Sequence, residues 1–70
     1  MNKNVERLIN NRNITRVITK DYVFYRHCNR VTETVTICRM DRKLFEELGS
    51  WRYIPQEVLI ELPLAEWESV

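Results

Sequence analysis

From Ile14 to Met40 the chain is dominated by β-branched and aromatic residues, with polar positions interleaved. Such residues favour a pleated, half-buried surface. The run 31–38 alternates cleanly. Val31, Val35 and Ile37 point one way with Glu33 between them, and Thr32, Thr34 and Thr36 point the other. The run 14–26 carries Ile14, Val17, Ile18, Tyr22, Val23, Phe24 and Tyr25. Together the two runs predict a hairpin with a tight turn at His27-Cys28-Asn29-Arg30. An even loop there pairs Phe24 with Glu33, Tyr22 with Val35 and Lys20 with Ile37. It gathers Ile18, Tyr22 and Phe24 on one face with Val31, Val35 and Ile37. A slip of one residue would bring Val17, Val23 and Tyr25 to that face instead.

Flanking segments read as covers for this hairpin. Val5, Leu8 and Ile9 fall at i, i+3 and i+4, which predicts a short helix over residues 3–11 capped by Asn2 or Asn4. A second helix is expected from about Arg42 to Leu48. Asp41 is its N-cap, Met40 and Phe45 form a hydrophobic staple, and Gly49 is its stop. Its charges oppose the helix dipole, so packing of Leu44, Phe45 and Leu48 must hold it. Between Pro55 and Pro63, residues 57–62 read as a third strand burying Val58, Ile60 and Leu62, because Pro63 disfavours helical dihedrals at Leu62. Leu64 and Trp67 lie three apart, at the spacing of one more helical turn.

The expected fold class is therefore α+β, a single domain over residues 1–70 in the order α-β-β-α-β. Its sheet would be three-stranded and mainly antiparallel, with helices on one face. A crossover through the second helix would place the third strand beside the first, antiparallel to it and parallel to the second.

Composition narrows the functional classes. At 70 residues, 44% hydrophobic and 30% charged, the chain is globular, yet a domain this small has a marginal core that favours a partner subunit. No apolar stretch approaches the roughly 20 residues of a membrane span. Residues 1–4 (Met-Asn-Lys-Asn) lack the apolar centre of a secretory signal, so a cytoplasmic location without membrane contact is expected. If Cys28 sits at a hairpin tip and Cys38 near its open end, about 30 Å of strand separates them. That is too far for a disulfide, and reduced thiols suit the cytoplasm.

Catalysis and metal binding find little support. His27-Cys28 is the one suggestive pair, but strand neighbours point to opposite faces and no third orienting group follows. A metal site needs about four ligands at recognisable spacing. A single glycine leaves no phosphate-cradling loop. No cofactor and no enzymatic activity are expected.

Charge is split along the chain. Up to Lys43 there are ten Lys and Arg against four Asp and Glu; from Leu44 onward there is one base against six acids. Arg16, Lys20, Arg26, Arg30 and Arg39 interleave with Tyr22, Phe24 and Tyr25, a pattern that suits phosphate tracking with base stacking. Arg16, Lys20, Tyr22, Arg26, Arg30 and Arg39 are thus the candidate residues for a nucleic-acid reading. A protein-binding reading ranks higher. Trp51, Arg52 and Tyr53, with Trp67, are the residue types that dominate interface hot spots, although both tryptophans equally suit the edge of a small core. The partner would be another protein of unknown identity or a second copy, with opposed charge halves docking head to tail in a homodimer. In size and lack of catalytic groups the chain looks like the accessory proteins with which phages and mobile elements bind and block host machinery. No motif residue carries that likeness, so no family is assigned. A regulatory or inhibitory binder is the expected function, a nucleic-acid-binding domain the first alternative and a structural subunit of a larger assembly the second.

Overall fold

The computed structural model describes residues 2–48, with Leu48 by its backbone alone, and residues 57–69. Helix α1 (Lys3–Asn10) begins where expected. The Asn2 side chain accepts from the Asn4 N–H at 2.8 Å, and Val5 and Leu8 are buried. Strands β1 (Arg16–Ile18), β2 (Tyr22–Asn29) and β3 (Thr34–Asp41) follow, then α2 (Arg42–Leu48), β4 (Glu57–Pro63) and α3 (Leu64–Glu68). The four described strands form one antiparallel sheet in the order β1-β2-β3-β4. The fold is α+β.

The expected first strand is two strands. Lys20-Asp21 interrupts the apolar run, and Thr19 closes a turn there. Its N–H donates to the Tyr22 carbonyl at 2.9 Å, and its hydroxyl accepts from the Tyr22 N–H at 3.1 Å. Ile18 therefore pairs with Val23. The sheet has four described strands where three were expected.

The main turn lies at 30–33, three residues beyond the expected position. Asn29 draws it there, accepting from the N–H groups of Val31 (2.9 Å) and Thr32 (3.2 Å), an Asx-type turn. His27 and Cys28 thus lie in β2, and Phe24 pairs with Arg39 rather than Glu33. The register is displaced by an even number of residues, so Phe24 still shares a face with Val35 and Ile37. Ile18 belongs to the opposite face beside Val23, and Val31 is 94% exposed in the turn.

Helices cover both faces, not one. Val17, Phe24, Val35 and Ile37 meet Val5 and Leu8 of α1 and Trp67 of α3. Val23, Tyr25, Cys38 and Met40 face the other way, against Leu44 and Phe45 of α2. Tyr22 to Tyr25 is an unbroken apolar run, so both faces of β2 need a roof. Met40 and Phe45 meet as a staple around Asp41, whose carboxylate accepts from the Leu44 N–H at 3.2 Å.

The expected placement of the third strand is also corrected. Residues 57–63 pair antiparallel with β3, so β4 lies beside β3 rather than β1. Strand β4 starts opposite Arg39, near the end where β3 stops, so the pair is antiparallel and needs no crossover back along β3. A register shift between Ile37 and Cys38 then breaks the alternation. Ile60 and Leu62 stay half-buried opposite Ile37 and Val35, but Val58 pairs with Cys38 and is 57% exposed. An inserted bulge residue moves the side chains beyond it to the other face, which is why Val58 is not the core residue its spacing implies.

Candidate protein interface at the β4 edge

Trp51, Arg52 and Tyr53 lie outside the described residues. Trp67, grouped with them as a contact residue, is only 8% exposed. Its Nε1–H donates to the Ile9 carbonyl at 2.9 Å, and its ring lies 4.7 Å from the Arg12 guanidinium carbon and 4.6 Å from that of Arg26. Arg12 donates to the Glu68 carbonyl at 2.6 Å; Arg26 donates to the carbonyls of Leu8 (2.5 Å) and Asn11 (3.2 Å). Trp67 thus closes the core beneath α1, held by two arginines, of which Arg26 caps the end of α1 and Arg12 the end of α3.

The six residues of the nucleic-acid reading do not form one patch. Arg16 lies 5.9 Å from the Phe45 ring on the α2 face. Tyr22, Arg26 and Arg39 lie on the α1 face. Arg26 is engaged as described. Arg39 stacks 4.2 Å from the Tyr22 ring and donates through Nε to the Glu57 carboxylate at 3.0 Å. That hydrogen bond raises the Arg39 pKa above its ordinary value. Lys20 and Arg30 are exposed in turns at opposite ends of β2.

Elsewhere, His27 and Cys28 are exposed neighbours on a strand and so point to opposite faces. Cys28 pairs with Val35 and Cys38 with Tyr25, so the two thiols lie three positions apart along the ladder, about 10 Å, and on opposite faces. Both are free. Burial raises the pKa of Cys38 and of Tyr25 beside it, which keeps that thiol protonated and a poor nucleophile. Among the described residues no cluster of three or more His, Cys, Asp or Glu is arranged to hold a metal ion, and no helix is long and apolar enough to cross a membrane.

What the structure does assemble is an edge. Among the described residues β4 has one strand neighbour, β3, and its other side carries none. An edge strand offers a row of main-chain donors and acceptors to a further strand. Val58 (57% exposed) and Leu59 (36% exposed), the residue that the register shift skips, give this edge apolar surface. On the α1 side it borders a small notch lined by Asn2, Val5, Phe24, Arg39, Leu59 and Ile60. From Glu57 to Ser69 there are four glutamates and no lysine or arginine. Spacing alone assigns Val58 to the core and so misses this surface; Pro63 at the end of the strand is a local sign of an edge. The chain matches no protein-family model, and neither a curated protein nor a solved structure matches it.

Proposed function

We propose that this chain is a small non-catalytic regulatory or inhibitory protein that acts by binding another protein. One observation carries the reading: β4 combines an edge that no other described strand covers with exposed Val58 and Leu59. Strand addition at such an edge supplies affinity from main-chain hydrogen bonds and selectivity from side-chain pockets. A free exposed Cys28 and a free buried Cys38 suit a reducing compartment, the cytoplasm.

The nucleic-acid reading ranks second. Arg26 and Arg39 are already committed to backbone carbonyls, Trp67 and Glu57, which leaves fewer cations to track phosphates. The role of structural subunit uses the same edge and ranks third.

Affinity capture from the native host, with and without nuclease, tests the reading when run beside the Val58→Lys variant. A protein retained after nuclease by the native chain and lost by the variant supports it. Loss of all retained material on nuclease treatment favours the nucleic-acid alternative.

A further inference from the structure

We propose that β4 accepts an extended segment of another protein in which basic and apolar residues alternate, one apolar side chain seating in the notch between Leu59 and Phe24. This rests on the reading of β4 as the docking edge and names the chemistry of what docks there.

Geometry supplies the alternation. Glu61 pairs with Thr36, which lies on the α2 face with Cys38 and Met40. The notch lies on the α1 face, bounded by Val5, Phe24, Leu59 and Ile60 with Asn2 and Arg39 at its rim. A strand laid against β4 sends successive side chains to opposite faces. Residues aimed at the notch and residues aimed at Glu61 are therefore an odd number apart.

Charge supplies the sign. The Glu57 carboxylate is shared with Arg39, but Glu61, Glu66 and Glu68 are exposed and enter no ion pair among the described residues. Side chains directly opposite on paired strands approach to about 5 Å, where opposite charges stabilise and like charges destabilise. A lysine or arginine is thus favoured beside Glu61. The same rule disfavours β4 of a second copy in the two-fold register that sets Glu61 against Glu61. The notch itself is chiefly apolar, so an aliphatic side chain suits it better than a charged one.

Two synthetic heptapeptides test this with the full isotope-labelled chain in amide-correlation spectra. One alternates lysine with valine and leucine; the other replaces every lysine with glutamate. The lysine peptide is expected to shift the amides of 57–63 at a concentration at least about tenfold lower than its counterpart. Glu61→Lys, an exposed site that leaves the core untouched, is expected to reverse that order. Leu59→Ala is expected to weaken the lysine peptide several-fold in either background. Equal binding of the two peptides at 57–63, or tighter binding of the glutamate peptide, overturns the charge assignment while leaving the docking edge in place. Shifts at 57–63 on concentrating the chain alone overturn it in favour of a second copy. Absence of shifts at 57–63 with both peptides overturns this partner and the edge reading together.

Discussion

Arg26, on β2, holds its guanidinium 4.6 Å from the ring centre of Trp67, on α3, while donating to the Leu8 carbonyl at the end of α1. Three elements distant in sequence meet in that contact, and the Arg12 guanidinium lies 4.7 Å from the centre of the same ring. A chain of this length has a total stability of only about 4–10 kcal/mol. Replacing a buried tryptophan by alanine costs about 3–5 kcal/mol, so Trp67→Ala is expected to be largely unfolded. Trp67→Phe keeps most of the ring and removes the donor to Ile9. It should cost about 1 kcal/mol and lower the melting temperature by about 4–8 °C. Arg26→Met, which retains the stem but not the donors, should lie in the same range. Thermal unfolding followed by circular dichroism checks both, and an unchanged Tm for either variant contradicts the bracing role.

The two thiols should differ sharply in reactivity. Cys28 is exposed, whereas Cys38 is buried between strands with its pKa raised by that burial. Thiolate, not thiol, is the reacting species. A titration with a thiol-specific disulfide reagent at neutral pH is expected to modify Cys28 promptly in the native protein and Cys38 only on unfolding. Cys28→Ser should leave a native protein with almost no fast-reacting thiol. Equal rates at both positions would show that the α2 face opens readily.

Local chemistry was legible in the sequence where it is self-contained. Asn2 caps α1, Asp41 caps α2, and Met40 with Phe45 staples it, because each device needs only neighbours along the chain. Competing local options were harder to read. Asn29 and the four residues after it outbid His27–Arg30 for the turn, and Lys20-Asp21 split an apolar run into two strands. Strand order depended on the end of β3 at which the chain re-enters the sheet rather than on any residue's preference. The exposed apolar edge of β4 was the least legible, since the bulge that exposes Val58 beside Cys38 is a property of pairing and leaves no composition signal.

Stability should fall in alkali and not near neutrality. Burial raises the pKa of Tyr25 above its ordinary 10.0 and that of Cys38 above 9.0. Below those ordinary values both groups are protonated whether folded or unfolded, and their contribution is fully present. Above them the unfolded chain releases protons that the folded chain retains, so unfolding is favoured as pH rises. The slope is at most about 1.4 kcal/mol per pH unit for each group. Urea unfolding between pH 7 and 11 should show a plateau to about pH 9 and then a decline. Tyr25→Phe should make the decline shallower above pH 10; a decline of equal slope in the variant would remove Tyr25 as its source.

Glu33 occupies the left-handed region at φ 57°, closing the turn that joins β2 to β3, and its carbonyl accepts from the Leu64 N–H at 2.8 Å. That conformation costs a residue with a β-carbon about 1–2 kcal/mol, and glycine adopts it freely at the expense of a more flexible unfolded chain, about 0.5–1 kcal/mol. The difference leaves Glu33→Gly more stable by roughly 0.5–1 kcal/mol, a rise of a few degrees in Tm for a domain of this size. Asparagine tolerates the same region and should also be neutral or stabilising. Glu33→Val should lower Tm, because a branched β-carbon is least at home at positive φ. The carbonyl bond to α3 survives all three changes, so the series isolates backbone strain from tertiary contact. A Tm that ranks valine above glycine would mean that the turn stores no backbone strain at Glu33.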